Sequence, residues 1–385
     1  MRNKLFLIPA MKRSLFLLFL LLCCAAPDAG AQVPAPENLG VEVNVLGGKI
    51  MKHTSSIILP VPESAFAVQV NFLQHTSGKK AWQQRWNKPV VGLGLMYTDY
   101  GDNRFYGRAV GIYPNIQLRF INRERFKWFL SVGGGVGLAS RHYSRIPFND
   151  TMNNFIGSTI NNFSVFDMSV QYRVSRYLSV QAGGNLTHLS NGNFTVPNLG
   201  LNLLAFHAGI TYYPYGLPSH EGAAVKEDGM RNSWNLNVKY TMGFVQLMVP
   251  GGPRYPVYGL ALYPSKVWLK KMRTFAGLDL ALPTGTYTFI KNNELFKGEE
   301  LQRSLHASVF AGNEFLMGRA GIQLQVGYTY YGKFLMRNKV YQKLGGNVYL
   351  YENSNSWIKR LYLSCMLKTY LTNADFVEFG VGASI

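Results

Sequence analysis

The chain has 385 residues, with 39 Lys and Arg against 20 Asp and Glu, a formal net charge of +19. It is 47% hydrophobic and 14% aromatic but only 15% charged. A basic balance can signal nucleic acid, yet here the Lys and Arg are scattered through turns, with no run or helical stripe, which argues against that partner.

The first 31 residues read as a cleavable signal peptide. Arg2, Lys4, Lys12 and Arg13 form a basic start, Leu15 to Leu22 an apolar stretch, and Ala29-Gly30-Ala31 a small-residue cleavage site before Gln32. Met11 is an alternative start, and bulky Leu22 before Cys23 argues against a lipoprotein. Cleavage near Ala31 leaves about 354 residues, and removes four basic residues and one acidic one for a net +16. The mature chain keeps a single cysteine, Cys365, which excludes an internal disulfide. The paired Cys and His spacings of a zinc site are absent, and nothing indicates a metal or organic cofactor.

After Gln32 no stretch reaches 18 apolar residues, so no transmembrane helix is expected. The apolar content instead alternates. From Trp234 to Phe244 even positions are apolar and odd ones polar or Gly; Ile322 to Tyr330 repeats this, as does the region from Trp128 to Leu138. Strands of about ten residues with one greasy face, and aromatics near the ends of that face, are what a bilayer-spanning barrel requires.

In chain order the pattern predicts strands at 41–50, 65–75, 89–99, 106–120, 126–140, 161–174, 176–190 and 199–213. A second set follows at 234–247, 256–268, 274–285, 304–316, 319–331, 340–351, 358–371 and 376–385. The expected fold is an all-β, antiparallel up-and-down barrel of about 16 strands in the outer membrane of a Gram-negative cell. The domain reading is 1–31 signal peptide, 32–214 barrel strands, 215–233 connecting segment and 234–385 further strands. One large barrel is the first expectation, and two eight-stranded barrels in tandem the alternative. Long connections at 141–160 and 286–303 fall outside the cell, as they should, whereas 76–88 and 214–233 are long but periplasmic. Pro114 lacks a ladder donor and suggests a bulge or an edge.

One hairpin carries chemistry. Leu178, Val180, Ala182, Gly184 and Leu186 share an outward face that continues into His188 and Ser190, and Asn202 shares the face of Leu204 and Phe206. Polar groups aimed at lipid are costly without a purpose. His188 and Ser190, two apart on one strand, lie within reach of each other, as a base and its nucleophile must. Asn191 and Asn198, with backbone N–H groups near Gly192, could serve an oxyanion. His207 reads as an interior histidine, while His53, His75, His142, His220 and His306 show no partner pattern. Tyr212-Tyr213 and Tyr328 to Tyr331 read as a membrane girdle.

His188-Leu189-Ser190-Asn191-Gly192, followed by Pro197-Asn198-Leu199-Gly200-Leu201-Asn202, resembles the active-site hairpin of the lipid A 3-O-deacylases, also called the acyloxyacyl hydrolase family. The resemblance covers 41–214 in layout and 188–202 in motif; the rest is similar to the extension of longer relatives. It implies an outer-membrane esterase acting on lipopolysaccharide, with Ser190 as nucleophile, His188 as base and Asn202 in the orienting position. The family's prototype has Glu where this chain has Asn202, which orients an imidazole but brings no charge. Glu378 is no replacement, because it alternates with outward Val377 and Phe379 and points inward. The readings left open are an active esterase, an inactive lipopolysaccharide-binding relative and a porin. The sequence also leaves a homodimer open.

Overall fold

A computed structural model describes residues 38–144, 150–217, 234–247, 249–332, 334–336, 338–371 and 373–385. The signal-peptide reading and most of the 215–233 connection lie outside the described residues.

The first eight strands are β1 (Leu39–Ile50), β2 (Ala65–His75), β3 (Val90–Asp99), β4 (Arg108–Asn122), β5 (Phe126–Ala139), β6 (Ile160–Arg173), β7 (Leu178–Ser190) and β8 (Leu201–Tyr212). A short helix, α1 (Ala81–Arg85), lies between β2 and β3. The next eight are β9 (Trp234–Gln246), β10 (Arg254–Trp268), β11 (Met272–Pro283), β12 (His306–Met317), β13 (Ala320–Tyr331), β14 (Val340–Glu352), β15 (Arg360–Tyr370) and β16 (Asn373–Ser384). Helices α2 (Thr284–Asn292) and α3 (Glu300–Ser304) link β11 to β12.

All sixteen strands form, but they do not close as one barrel: β1–β8 and β9–β16 each make a closed antiparallel barrel. The expectation of one larger barrel is corrected to its alternative. Closure is a matter of pairing. β8 returns to β1, from Val41 opposite Tyr212 to Ile50 opposite Leu203, so it has no free edge for β9. β16 pairs β9 likewise, from Glu378 opposite Gly243 to Ser384 opposite Asn237. An eight-stranded barrel is just narrow enough for side chains to fill, and both interiors are filled. In the first, Glu42 accepts from Asn44 (3.1 Å), Asn71 (2.6 Å) and Gln117 (3.2 Å). In the second, Lys343 donates to Asp279 (2.7 Å) and Glu378 (3.0 Å), which confirms that Glu378 points inward.

The alternation holds throughout. Outward positions such as Val45, Phe66, Phe72, Leu204, Phe206, Leu236, Val238 and Leu324 are exposed and apolar, as a lipid-facing belt needs. Pro114 creates no edge, since a closed barrel has none. It interrupts the β4–β5 ladder between Ile112–Val136 and Asn115–Gly133 without shifting register, and the bulge falls later, at Arg119–Ile121. Gly135 makes this approach tolerable: a Cβ there would sit 2.1 Å from the Ile112 carbonyl oxygen.

The end at which β1, β7 and β9 finish is called distal here. At that end of the first barrel Ile57, Leu59, Tyr100, Tyr106, Phe155 and Ile156 cap the interior with Leu46, Phe163, Leu189, Leu201 and Leu203. At the proximal end lies the long 76–88 connection, and its length has a structural reason. It carries α1 and Trp86, whose indole N–H donates to the Leu316 carbonyl of the second barrel (2.8 Å).

Candidate active site

The site is built where β7 ends, β8 begins and β1 runs out beside them. Because Leu189, Leu201 and Leu203 are drawn into the apolar distal interior, the period of two turns His188, Ser190 and Asn202 to the outer face. His188 and Asn202 lie directly opposite in the β7–β8 ladder. His188 Nδ1 lies 2.6 Å from Asn202 Oδ1, and His188 Nε2 lies 2.8 Å from Ser190 Oγ. An amide oxygen only accepts, so Nδ1 carries the ring proton and Nε2 presents its lone pair to the serine hydroxyl. A hydroxyl donating to an imidazole lone pair, with the other ring nitrogen anchored, is the arrangement that lets a serine attack an electrophilic carbon.

The 191–200 loop arches over this hairpin. Asn191 N–H donates to Asn198 Oδ1 (2.8 Å), and Asn191 Nδ2 donates to Ser158 Oγ (2.9 Å). Both donor nitrogens of Asn191 thus have a partner. Asn198 Nδ2, by contrast, is buried and has no hydrogen-bond partner. Gly200, at φ +82°, packs on the histidine: a Cβ there would lie 2.9 Å from His188 Cε1. Gly192 has φ +59°, and a Cβ on it would lie 2.6 Å from Val377 of the second barrel.

That last contact is one of several. Gln246 N–H donates to the Asn193 carbonyl (2.9 Å), and Val196 N–H donates to Gln246 Oε1 (2.8 Å). Arg254 donates through Nε to the Phe194 carbonyl (2.9 Å) and through a terminal nitrogen to Thr195 Oγ1 (3.0 Å). Its guanidinium also lies over the Phe194 ring, 4.4 Å from the centroid, and Asn193 Nδ2 donates to the Ala374 carbonyl. The distal rim of the second barrel therefore holds the loop.

The sequence reading assembled His188, Ser190 and Asn202, and the structure brings them together. It missed His53, which showed no partner pattern. His53 Nδ1 lies 2.9 Å from Asn202 Nδ2, and its Nε2 lies 3.0 Å from the Leu199 carbonyl oxygen. The reason is topological. Met51 N–H donates to the Asn202 carbonyl (2.8 Å), so barrel closure carries His53 to a residue 149 positions away. Only the β1–β8 pairing could have signalled this. His207 faces the interior as expected, with Nε2 near Ser169 Oγ (3.0 Å) and Asp167 Oδ2 (3.2 Å). Among the described residues no group of His, Cys, Asp and Glu is arranged to hold a metal.

The first closed barrel thus carries an apolar belt and, on its outer face, a hydrogen-bonded Ser–His pair. Residues 67–211 match the family model of the lipid A 3-O-deacylases (PagL), and residues 232–385 match that of the acyloxyacyl hydrolase C-terminal domain. The chain belongs to this family of outer-membrane lipid A deacylases. Among solved structures it is similar to the outer-membrane enzyme PagL, at 17% identity over 46% of this chain and 99% of that one, TM-score 0.30. It is also similar to Neisserial surface protein A, at 12% identity over 46% of this chain and 97% of that one, TM-score 0.33. No curated protein sequence matches. The family assignment rests on the two family models.

Proposed function

We propose that the protein hydrolyses a fatty acyl ester of lipid A in the outer leaflet, through Ser190, His188 and Asn202. The observation that carries this reading is the hydrogen-bonded run Asn202–His188–Ser190 on the face turned to lipid. Ser190 lies on that outer face but is itself only 3% exposed, so an acyl ester reaches it from the bilayer side beside the 191–200 loop.

Ser190 Oγ attacks the ester carbonyl while His188 Nε2 takes its proton. The oxyanion that forms needs a donor already in place, and the unpartnered Asn198 Nδ2 supplies one. Asn191, bonded to Asn198 and Ser158, keeps that side chain in position, and Gly192 lets the loop turn. The imidazolium returns its proton to the sugar oxygen as that bond breaks. Water, activated by the same imidazole, then releases the fatty acid from Ser190. Asn202 holds the ring but adds no negative charge beside the imidazolium, so turnover is slower than an acidic residue would give. Lys49 and Lys52, exposed at the distal end of β1, lie on the rim that meets the phosphates of lipid A.

Mass spectrometry of lipid A from cells expressing wild type or S190A tests this. Wild type is expected to yield lipid A lighter by one acyl chain, and S190A the intact species. Identical acylation in both would sink the proposal. The side chains that fill both interiors oppose the porin reading: in the second barrel one cavity between Thr241, Asp279, Lys343 and Glu378 has about 10 Å³, room for one water.

A further inference from the structure

We propose that His53 is a positioning residue of this site: it fixes which end of the Asn202 amide faces His188. The inference deepens the hydrolase reading and rests on it.

A carboxylate in the orienting position has two equivalent oxygens and no wrong way round. An amide has one acceptor end and one donor end. If Asn202 turned its Nδ2 toward His188, the ring would meet it with an Nδ1 lone pair and carry its proton on Nε2. That proton would then point at Ser190 Oγ, and the histidine could not act as a base. An asparagine here needs another group to hold its direction.

His53 is bound from one end by a group with no choice. The Leu199 carbonyl oxygen only accepts, so His53 Nε2 carries the proton and donates to it (3.0 Å). In the neutral ring Nδ1 then holds a lone pair, which accepts from Asn202 Nδ2 at 2.9 Å. The Met51 carbonyl, at 3.4 Å from that nitrogen, is the more distant neighbour. With Nδ2 so engaged, Asn202 Oδ1 faces His188 Nδ1 (2.6 Å), and His188 Nε2 is left to accept from Ser190 (2.8 Å). One backbone carbonyl thus sets the direction of four successive hydrogen bonds. The local fold ties the ends together, since Leu199 belongs to the same loop as Asn198 and the Met51 N–H is bonded to Asn202's own carbonyl.

The test uses the full-length protein in lipid A-containing vesicles, with fatty-acid release as the rate. H53A is expected to lower kcat about tenfold with KM unchanged, in proportion to one lost hydrogen bond and a partly reversed amide. H53N places an amide oxygen near the position of Nδ1 and is expected to restore most of the rate. In an N202E background, where direction no longer matters, H53A is expected to cost little. Equal rates for H53A and wild type, or an H53A loss of the same size in the N202E background, would overturn the proposal. Nitrogen-15 NMR of labelled histidine reads the tautomer without turnover. It is expected to show His188 protonated on Nδ1 in wild type and mixed in H53A. A wild-type His188 protonated on Nε2 overturns the relay. A wild type with the expected tautomer but no Ser190-dependent hydrolysis overturns the hydrolase reading instead, leaving the relay intact.

Discussion

In the first barrel the connection between its last two strands runs from 191 to 200, whereas in the second it spans only 371–372. The long one arches over His188 and supplies Asn191 and Asn198; the short one brings β16 straight back, and its first residues receive the neighbour's loop through Ala374 and Val377. The interiors differ in the same sense. The first barrel fills its distal half with apolar side chains, which draw Leu189, Leu201 and Leu203 inward and leave the polar residues of that hairpin outside. The second is filled with ion pairs: Arg273 with Glu314 (2.9 Å), Lys343 with Asp279 and Lys368 with Asp375 (3.2 Å). One fold thus serves twice, once to carry the hairpin of the proposed site and once to hold that hairpin's loop.

The sharpest break in this contrast lies between two histidines of the first barrel. His188 uses its two ring nitrogens for two different partners, as proton transfer demands. His207 turns one nitrogen to both Ser169 and Asp167, while its Nδ1 has no partner. A Ser–His–Asp set inside the lumen is therefore a packing cluster, not a relay. H188A is expected to lower hydrolysis about a thousandfold or more. H207A is expected to leave the rate of folded protein unchanged while lowering stability by about 1–3 kcal/mol. Fatty-acid release, normalised to folded barrel on a heat-modifiability gel, measures both. A comparable rate loss in H207A would erase the distinction between the two faces.

How much of this was legible in the sequence follows from the range of each signal. Alternation is local, so strands such as Trp234–Gln246 and Ala320–Tyr331 could be read within a few residues, and with them the outward side of His188, Ser190 and Asn202. Closure is a long-range choice of partner. Nothing within β8 says that Ile210 will lie opposite Val43 rather than opposite a residue of β9, so one barrel and two had the same local pattern. His53 was invisible for the same reason, since its link to Asn202 exists only through closure. The long 76–88 connection broke the expectation of short periplasmic turns, and the contradiction was informative. The segment carries Trp86 to Leu316 of the second barrel, which the reading held only as its alternative.

A second way to sharpen the comparison is to disturb the holding barrel alone. Lys343 lies between Asp279 and Glu378, and removing it takes the ion-pair partner at 2.7 Å from buried Asp279 and leaves Glu378 with Lys239 at 4.0 Å. K343M is expected to destabilise the second barrel by about 3–5 kcal/mol, seen as a lower urea midpoint. Protein that remains folded is expected to keep its hydrolysis rate, because among the described residues the ion pairs of that lumen include no residue of the loop.

The smallest expected effect addresses the contact between the barrels directly. Gln246 bonds the loop through both its backbone N–H and its side-chain oxygen, and Arg254 bonds the Phe194 carbonyl and Thr195 while covering the Phe194 ring. These hydrogen bonds end on Asn193, Phe194, Thr195 and Val196, not on His188 or Ser190, so the chemistry itself is left alone. What the contacts hold is the path from Asn193 to Val196, which leads into Asn198. Releasing them lets Asn198 Nδ2 wander from the place proposed above for the oxyanion. The double variant Q246A/R254A loses hydrogen bonds that contribute about 1 kcal/mol each, part of which appears in the transition state. It is expected to lower kcat about fivefold to tenfold, with both barrels still folded and the Ser190–His188 pair intact. Single-turnover release of fatty acid measures this. A rate equal to wild type would mean that the second barrel contributes nothing to the site, and that its loop contacts only join the two halves.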